Sequence, residues 1–248
     1  MLSLTQLLIF ELGKCCNLGG IHPHCPNRSK ERFSKLNTDR ELDDLTIVQC
    51  ATRAYSEQHF QGLIGWHYYN EPLVEMERMF RLMAEIKEQV PESRFILWTN
   101  GTLLPADCER FAMFDCIVVT RYKNQSYGDL NFHPNIHIRE EMFDRRMDDL
   151  PALGNEPCLR SFVECIVDCY GNHHPCCNDW RGESSLGNIY VDGFDEILRK
   201  WREFQEAAIV GNLPPGCQRC GVRYRDIQAV DRRSIVAIAE WIATKNKL

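Results

Sequence analysis

The sequence predicts an α/β fold with a parallel sheet, followed by a smaller cysteine-rich module. Three observations carry this expectation. From residue 1 to about 120, short apolar runs alternate with amphipathic segments, the pattern of strand–helix–strand units. From about residue 150 the texture changes to short β-like runs and turns dense in cysteine. The thirteen cysteines form one group near the start and a larger one from Cys158 onward, with a sparse middle. The expected division is therefore 1–150 and 151–248.

Each element has its own signal. "LLIFELG" reads as a strand. "LTIVQCA" fits either a strand or part of a helix, because a short apolar run has no decisive period. "GLIGWHYY" is strand-like, and "EPLVEMERMFRLMAEIKEQV" has helical spacing and stops before Pro91. "RFILWTNGT" is a strand closed by a turn, "PADCERFAMF" a helix and "DCIVVTRY" a strand. Further on, "CLRSFVECIVDCYGNHHPCCNDW" reads as two strands joined near Tyr170, Gly171 and Asn172. "LGNIY" follows, then a helix through "DEILRKWREFQEAAIV", a turn-rich "GNLPPGCQRCGV" and an amphipathic "SIVAIAEWIATKNKL". Loops at the carboxyl ends of parallel strands carry the chemistry of such folds. The first cysteine loop, "NEP", "TNGT" and "TRY" all fall at those ends.

Composition narrows the function classes. At 44% hydrophobic and 26% charged residues the chain has the make-up of a soluble globular protein. No run of eighteen or more apolar residues marks a transmembrane helix. The apolar N-terminus lacks a basic flank and a small-residue cleavage site, so it reads as a buried strand, and a cytoplasmic location is the expectation. The net charge is −6 with no basic stripe, so neither nucleic acid nor a membrane is an expected partner. In a reducing compartment thirteen cysteines point to metal or redox work and away from a disulfide framework.

Cys217 and Cys220 form a CxxC in a Gly/Pro-rich loop, a spacing that turns two thiolates toward one metal centre. With Cys158 and Cys176 upstream, four thiolates are available, which suits structural zinc and an iron–sulfur cluster equally. Cys165 and Cys169 alternate with Val163 and Val167 on one strand face and read as buried thiols. Trp66, Trp98 and Trp180 read as packing residues. His173 and His174 read as solvated at a hairpin tip. Arg121 and Tyr122 face either a substrate or solvent.

The segment from Cys158 through "CNDW" and "LGNI" to "CQRC" resembles the C-terminal auxiliary-cluster module of radical S-adenosylmethionine enzymes, of the SPASM or shorter twitch type. "NEP" (with Asn70 where glycine is usual), "TNGT" and "VVTRY" match that family's strand ends. The resemblance covers nearly the whole chain. In length and layout it is nearest the family's aminocyclitol dehydrogenase type.

That resemblance implies a partial (β/α)6 TIM-like barrel with a small twitch module of a β-hairpin plus a helix. It implies two 4Fe–4S clusters, one catalytic and one auxiliary, with S-adenosyl-L-methionine as the second cofactor. Cys158, Cys176, Cys217 and Cys220 occupy the auxiliary ligand positions, and Cys177 is an extra cysteine one residue out of register. The catalytic loop departs from the family's CxxxCxxC. Cys16 and Cys25 match its first and last cysteines, but eight residues lie between them and none is cysteine. The third ligand is then either Cys15, in a CC-x8-C triad, or His22, which keeps the x2 spacing to Cys25; the remaining alternative is a loop that holds no cluster. Glu71 is implied as acceptor for the methionyl ammonium, with a helix N-terminal acid as its other reading. Thr99, Asn100 and Thr120 are candidates for ribose or carboxylate contacts.

The implied reaction is reductive cleavage of S-adenosylmethionine to a 5′-deoxyadenosyl radical that abstracts hydrogen from a small polar substrate. A ribosomal peptide is the second substrate option, and 3-amino-3-carboxypropyl transfer the second reaction. A reductant such as flavodoxin or ferredoxin is the implied protein partner. The alternative of another class is a non-catalytic zinc or iron–sulfur module.

Overall fold

The computed structural model of the protein describes residues 5–19, 25–26, 40–105, 109–122, 124–130, 132–140, 154–158 and 160–220. His22, Cys108 and the segment "SIVAIAEWIATKNKL" lie outside the described residues.

Six parallel strands build the frame: β1 (Leu7–Phe10), β2 (Leu63–Gly65), β3 (Phe95–Thr99), β4 (Cys116–Arg121), β5 (Ile136–Glu140) and β6 (Glu164–Val167). Two short antiparallel strands, β7 (Asn172–His174) and β8 (Gly187–Asn188), continue the same sheet. Among the described residues the order is β5-β4-β3-β2-β1-β6-β7-β8, an open sheet and not a closed barrel. β1 lies between β2 and β6, so the cysteine-rich part is joined to the first part through a ladder with the first strand. Every parallel strand ends on the same edge, which gathers the loops named above.

Helices cover one face. The segment "LTIVQCA" is helical, within α1 (Asp44–Gln58). Asp43 decides this: its Oδ1 accepts from the Thr46 amide at 2.8 Å, capping the helix. Ile47, Cys50, Ala51 and Ala54 then recur at helical spacing on the buried side. A 3-10 turn (Pro72–Glu75) leads into α2 (Met76–Gln89), which buries Met79, Phe80, Leu82, Met83 and Ile86. Each such side chain contributes about 1.5–3 kcal/mol through burial. "PADCERFAMF" forms, where described, only a 3-10 turn (Glu109–Met113). The strand β5 had no clear signal: "IHIRE" offers two apolar residues, and one, Ile138, is exposed.

In the cysteine-rich part the two expected strands are β6 and β7, paired antiparallel. A short α3 (Ile189–Asp192) and the long α4 (Phe194–Ile209) follow, then α5 (Pro215–Gln218) at the CxxC. The helices α1, α2 and α4 pack on the sheet face bearing Leu8, Phe10, Ile64, Phe95, Ile117 and Cys165. The opposite face carries Leu7, Ile9, Ile96, Val118 and Ile166, with Tyr68, Trp98 and Cys177 packed against it. Among the described residues no helix is long and apolar enough to cross a membrane.

Candidate active site and auxiliary cysteine cleft

Glu71 is the hub at the carboxyl edge of the sheet. It is 3% exposed. Its Oε1 accepts from the Thr99 hydroxyl at 2.7 Å and the Leu73 amide at 3.1 Å, and its Oε2 from the Asn100 amide at 2.8 Å. Burial pushes its carboxyl upward, against the pull of these three donors. The capping reading of this residue holds, since it caps the 3-10 turn through Leu73; its Oε2, which takes the Asn100 amide, has a further acceptor site. Its own amide donates to the Cys15 carbonyl at 2.9 Å, which fixes the cysteine loop to the end of β2.

Two more strands join this network. Asn100 donates through Nδ2 to Asn17 Oδ1 at 2.8 Å, and Asn17 donates to the Thr102 hydroxyl at 2.7 Å. Thr102 closes the ring by donating to Asn100 Oδ1 at 2.6 Å. Gly101 makes the turn between them at φ +77°, where a Cβ would meet Val119 at 2.5 Å. Thr99 and Asn100 thus stand beside Glu71. Thr120 is one strand further off, where its hydroxyl accepts from Arg139 Nε at 2.6 Å.

The cysteine loop leaves β1 at the same edge. Cys15 is exposed, while Cys16 and Cys25 are half-buried. Burial raises the Cys16 thiol, and the nearby Glu71, Cys25 and Cys15 push it the same way. The donor set suits a cluster site that has an open face, since soft thiolates favour iron–sulfur centres and Cys15 looks outward.

The second group lies across the sheet. Cys158, Cys176, Cys217 and Cys220 line one cleft, with Ser184 and Gly216 among its walls. Cys158 is anchored by its amide to Ala208 at the end of α4, and the CxxC turn is closed by the Cys220 amide on the Cys217 carbonyl at 3.1 Å. A side chain at Gly216 would come within 2.6 Å of Ser184 Oγ. Burial pushes the Cys217 thiol up to about 11 and the Cys176 thiol well above its usual range; Cys158 is a neighbour of both. Crowded buried thiols hold their protons until a metal replaces them. Among the described residues no three His, Cys, Asp or Glu side chains close on the space of a single ion. A cubane takes each cysteine on a different iron, so its ligands stand farther apart than those of one ion. The donor set fits it.

Cys177 sits elsewhere. Its sulfur accepts from Arg160 Nη2 at 3.0 Å, and its amide donates to Glu164 Oε1 at 2.6 Å. Arg160 holds Glu164 with two parallel bonds, 2.8 and 3.1 Å, both side chains buried. Burial works to raise the Glu164 carboxyl, but Arg160 and the Cys177 amide carry it below its usual value.

The two histidines at the hairpin correct the expectation of solvation: both are buried. His174 lies between Asp168 (2.9 Å) and Asp179 (3.2 Å), and His173 touches the Cys165 sulfur at 3.1 Å and meets the Trp201 ring edge-on. Burial of Cys165 and Cys169 agrees with their reading as structural thiols, and Trp66 is fully enclosed.

Sequence reasoning assigned no contact to four residues. Glu11, fully buried at the end of β1, accepts from the Tyr69 amide at 3.0 Å and the Cys169 amide at 3.2 Å. Tyr69 reaches across to the cysteine-rich part, its hydroxyl donating to the Cys177 carbonyl. Asn17 completes the ring with Asn100 and Thr102. Arg78, on α2, bonds the carbonyls of Leu12 and Leu42. A buried acid at a strand end was a readable signal for Glu11; the other three depend on contacts remote in sequence.

Comparison with known proteins agrees with this layout. Residues 158–221 match the SPASM domain, an iron–sulfur cluster-binding domain. Over 247 residues the chain is 22% identical to the S-adenosyl-L-methionine-dependent 2-deoxy-scyllo-inosamine dehydrogenase of Niallia circulans, covering 88% of this chain and 93% of that one. The fold matches the crystal structure of BtrN in complex with AdoMet and 2-DOIA at a TM-score of 0.62 and 21% identity, over 84% of this chain and 88% of that one. It matches SeMet BtrN in an open conformation at the same TM-score and 18% identity, over 88% of this chain and 92% of that one.

Proposed function

We propose that this chain, a radical S-adenosylmethionine protein with a SPASM module, oxidises a small polar substrate at a carbon bearing hydrogen. Residues 1–150 serve as the radical-generating unit and 151–248 as the auxiliary module, sharing one sheet. The observation that supports this most is the double link made by the loop after β2. The Glu71 amide holds the Cys15 carbonyl, and the Tyr69 hydroxyl holds the Cys177 carbonyl beside Cys176. One short loop thus ties both cysteine groups to the same strand end.

Cys15, Cys16 and Cys25 would hold the catalytic 4Fe–4S cluster, and Cys158, Cys176, Cys217 and Cys220 the auxiliary one. When bound, the catalytic cluster and S-adenosylmethionine would supply a 5′-deoxyadenosyl radical that takes one hydrogen atom from the substrate, and the auxiliary cluster would accept the second electron as a proton leaves. Glu71 Oε2 is the acceptor offered to the methionyl ammonium, since its other two contacts on Oε1 are filled by protein donors. Thr99 and the Asn100 amide hold that carboxylate in place. Asn100 also orients Asn17, so a side-chain hydrogen bond joins the loop to the strand end. Thr120 is set back from Glu71 and suits a ribose contact.

The substrate would lie on the sheet face away from the helices, between the two cysteine groups. His67 and Trp98 stand there with ring centres 5.0 Å apart, and Arg139 lies 4.7 Å over the Trp98 ring. Burial pushes His67 down to about 4, so its imidazole is neutral near pH 7. His67 and Arg139 add polar groups to this otherwise apolar face and suit a small polar molecule such as an aminocyclitol, the class of the 2-deoxy-scyllo-inosamine for which the Niallia circulans relative is named. A small ferredoxin or flavodoxin is the expected electron donor.

The test is product analysis of the anaerobically reconstituted protein with S-adenosylmethionine and a strong reductant. 5′-Deoxyadenosine with methionine is the expected result. Methylthioadenosine would move the reading to 3-amino-3-carboxypropyl transfer, and a colourless protein carrying zinc would sink it.

A further inference from the structure

The segment that carries Cys15, Cys16 and Cys25 lies between β1 and α1, with Leu12 and Leu42 near its two ends. A single side chain bonds both ends. Arg78, on the first turns of α2, donates through Nη1 to the Leu12 carbonyl at 2.5 Å and through Nη2 to the Leu42 carbonyl at 2.6 Å. Its Nε donates to Asp44 Oδ1 at 2.6 Å, and Nη1 also reaches Glu75 Oε2 at 3.0 Å. Two carboxylates therefore balance the charge, while the two remaining directions of the fork are spent on the neck of the loop. Only a guanidinium does this: its donors diverge in one rigid plane, whereas an ammonium is a point charge on a flexible stem.

The neck is built around that fork. Leu12 and Leu42 are buried, at 2% and 1% exposure, so their carbonyls have little water to turn to. Next to Leu12, a Cβ on Gly13 would fall 1.8 Å from Glu75 Oε1, so glycine lets the chain run against the carboxylate that Arg78 grips. Asp44 begins α1, directly after the loop returns. The first turns of two helices and the two ends of the loop thus converge on one cation. Closing a long loop costs entropy, and its ends stay together only if something holds them.

We propose that Arg78 is a positioning residue for the catalytic cluster: by clamping the loop at both ends it fixes where Cys15 and Cys16 emerge beside Glu71. The inference rests on the reading that this loop holds a cluster. It assigns no contact between Arg78 and cluster, cofactor or substrate.

The test compares wild type, Arg78→Gln, Arg78→Lys and Arg81→Gln, each reconstituted without oxygen. Arg81 is the control, because it bonds Asp44 Oδ2 at 2.6 Å from the exposed side of the same helix. The readouts are iron per chain, and the electron paramagnetic resonance signal of the reduced protein with and without S-adenosylmethionine. Wild type and Arg81→Gln are expected to hold about eight irons, two four-iron clusters, and to show a signal that shifts with S-adenosylmethionine. Arg78→Gln is expected to hold half that iron, keep the auxiliary signal and lose the responsive one at least tenfold. Arg78→Lys is expected to behave like Arg78→Gln, since charge alone does not span the neck. Full iron and an unchanged responsive signal in Arg78→Gln would overturn the inference while leaving the cluster reading intact. Loss of both clusters together in both Arg78 variants also overturns it, because Arg78 would then support the whole fold. About four irons in wild type, all lost in Cys176→Ala, would instead remove the catalytic-cluster reading itself.

Discussion

The Tyr69 hydroxyl donates to the carbonyl of Cys177, joining the loop after β2 to the residue beside the cleft cysteine Cys176. The bond spans the two halves of the sequence, and Tyr69 is held from behind by its amide on Glu11. The Tyr68 ring is tilted against Tyr69 at 4.4 Å between ring centres and lies 5.2 Å from the His174 ring, so an aromatic pair touches both halves.

Tyr69→Phe keeps that packing and removes only the hydroxyl. The half-buried Cys177 carbonyl loses its donor, which should cost about 1–3 kcal/mol. Thermal melting of the anaerobic, cluster-loaded protein measures it. An unchanged melting temperature would mean that the bond contributes nothing to joining the halves.

Much of this architecture was readable in advance, for identifiable reasons. The strands β1, β3 and β4 are nearly unbroken apolar runs because helices bury one face and packed side chains the other. The hairpin of β6 and β7 turns at Gly171, with φ +81°. "LTIVQCA" stayed ambiguous because its helix is decided by Asp43, just outside the apolar run. His173 and His174 misled because a polar pair before Pro175 looks like a hairpin tip. Their burial is sustained by Asp168, Asp179 and Trp201, and pairings of this kind have no local signature. Glu71, Thr99 and Asn100 were legible as strand-end residues; that one carboxylate joins them required the parallel order of β2 and β3.

Asp43 offers a pH-dependent test. Burial works to raise its carboxyl, but the Thr46 amide and hydroxyl and Arg40 bring it down to about 2. A carboxylate depressed in the folded state adds stability that is present above the unfolded value, near 4, and lost as pH falls through about 2. Asp43→Ala should therefore destabilise α1 by about 1 kcal/mol at pH 7, and Asp43→Asn by less, since asparagine also caps. The gap between wild type and Asp43→Ala should close between about pH 4 and pH 2. Urea titrations of the cluster-free chain, followed by circular dichroism, check this, because acid strips iron–sulfur clusters. A gap that persists at the lowest pH would show that the carboxylate's charge is not what stabilises the helix.

Adjacent cysteines in the cleft make a sharp prediction. Cys176 lines the cleft, whereas the Cys177 sulfur faces Arg160 and its thiol is pushed by burial up to about 12. Cys176→Ala should lose about four irons per chain, one cubane, and Cys177→Ala none. Iron assays after anaerobic reconstitution decide it. Equal losses, or the reverse order, would shift the register of the auxiliary ligands by one residue.

A parallel comparison tests the third ligand of the catalytic loop. Cys15 and Cys16 are adjacent, and adjacent residues in extended backbone point apart. Here the Glu71 amide takes the Cys15 carbonyl and the Gly19 amide takes the Cys16 carbonyl at 3.2 Å, so the chain turns directly after the pair, over residues 17–19. A bent loop lets both sulfurs serve one cluster. Histidine ligation raises a cluster's potential, which opposes reductive cleavage of a sulfonium. Cys15→Ala is therefore expected to remove the S-adenosylmethionine-responsive signal and abolish 5′-deoxyadenosine, and His22→Ala to leave both within about twofold of wild type, a change under 0.5 kcal/mol. If His22→Ala abolishes them and Cys15→Ala does not, the cluster is held by Cys16, His22 and Cys25, and its reduction potential should lie measurably higher than that of an all-cysteine site.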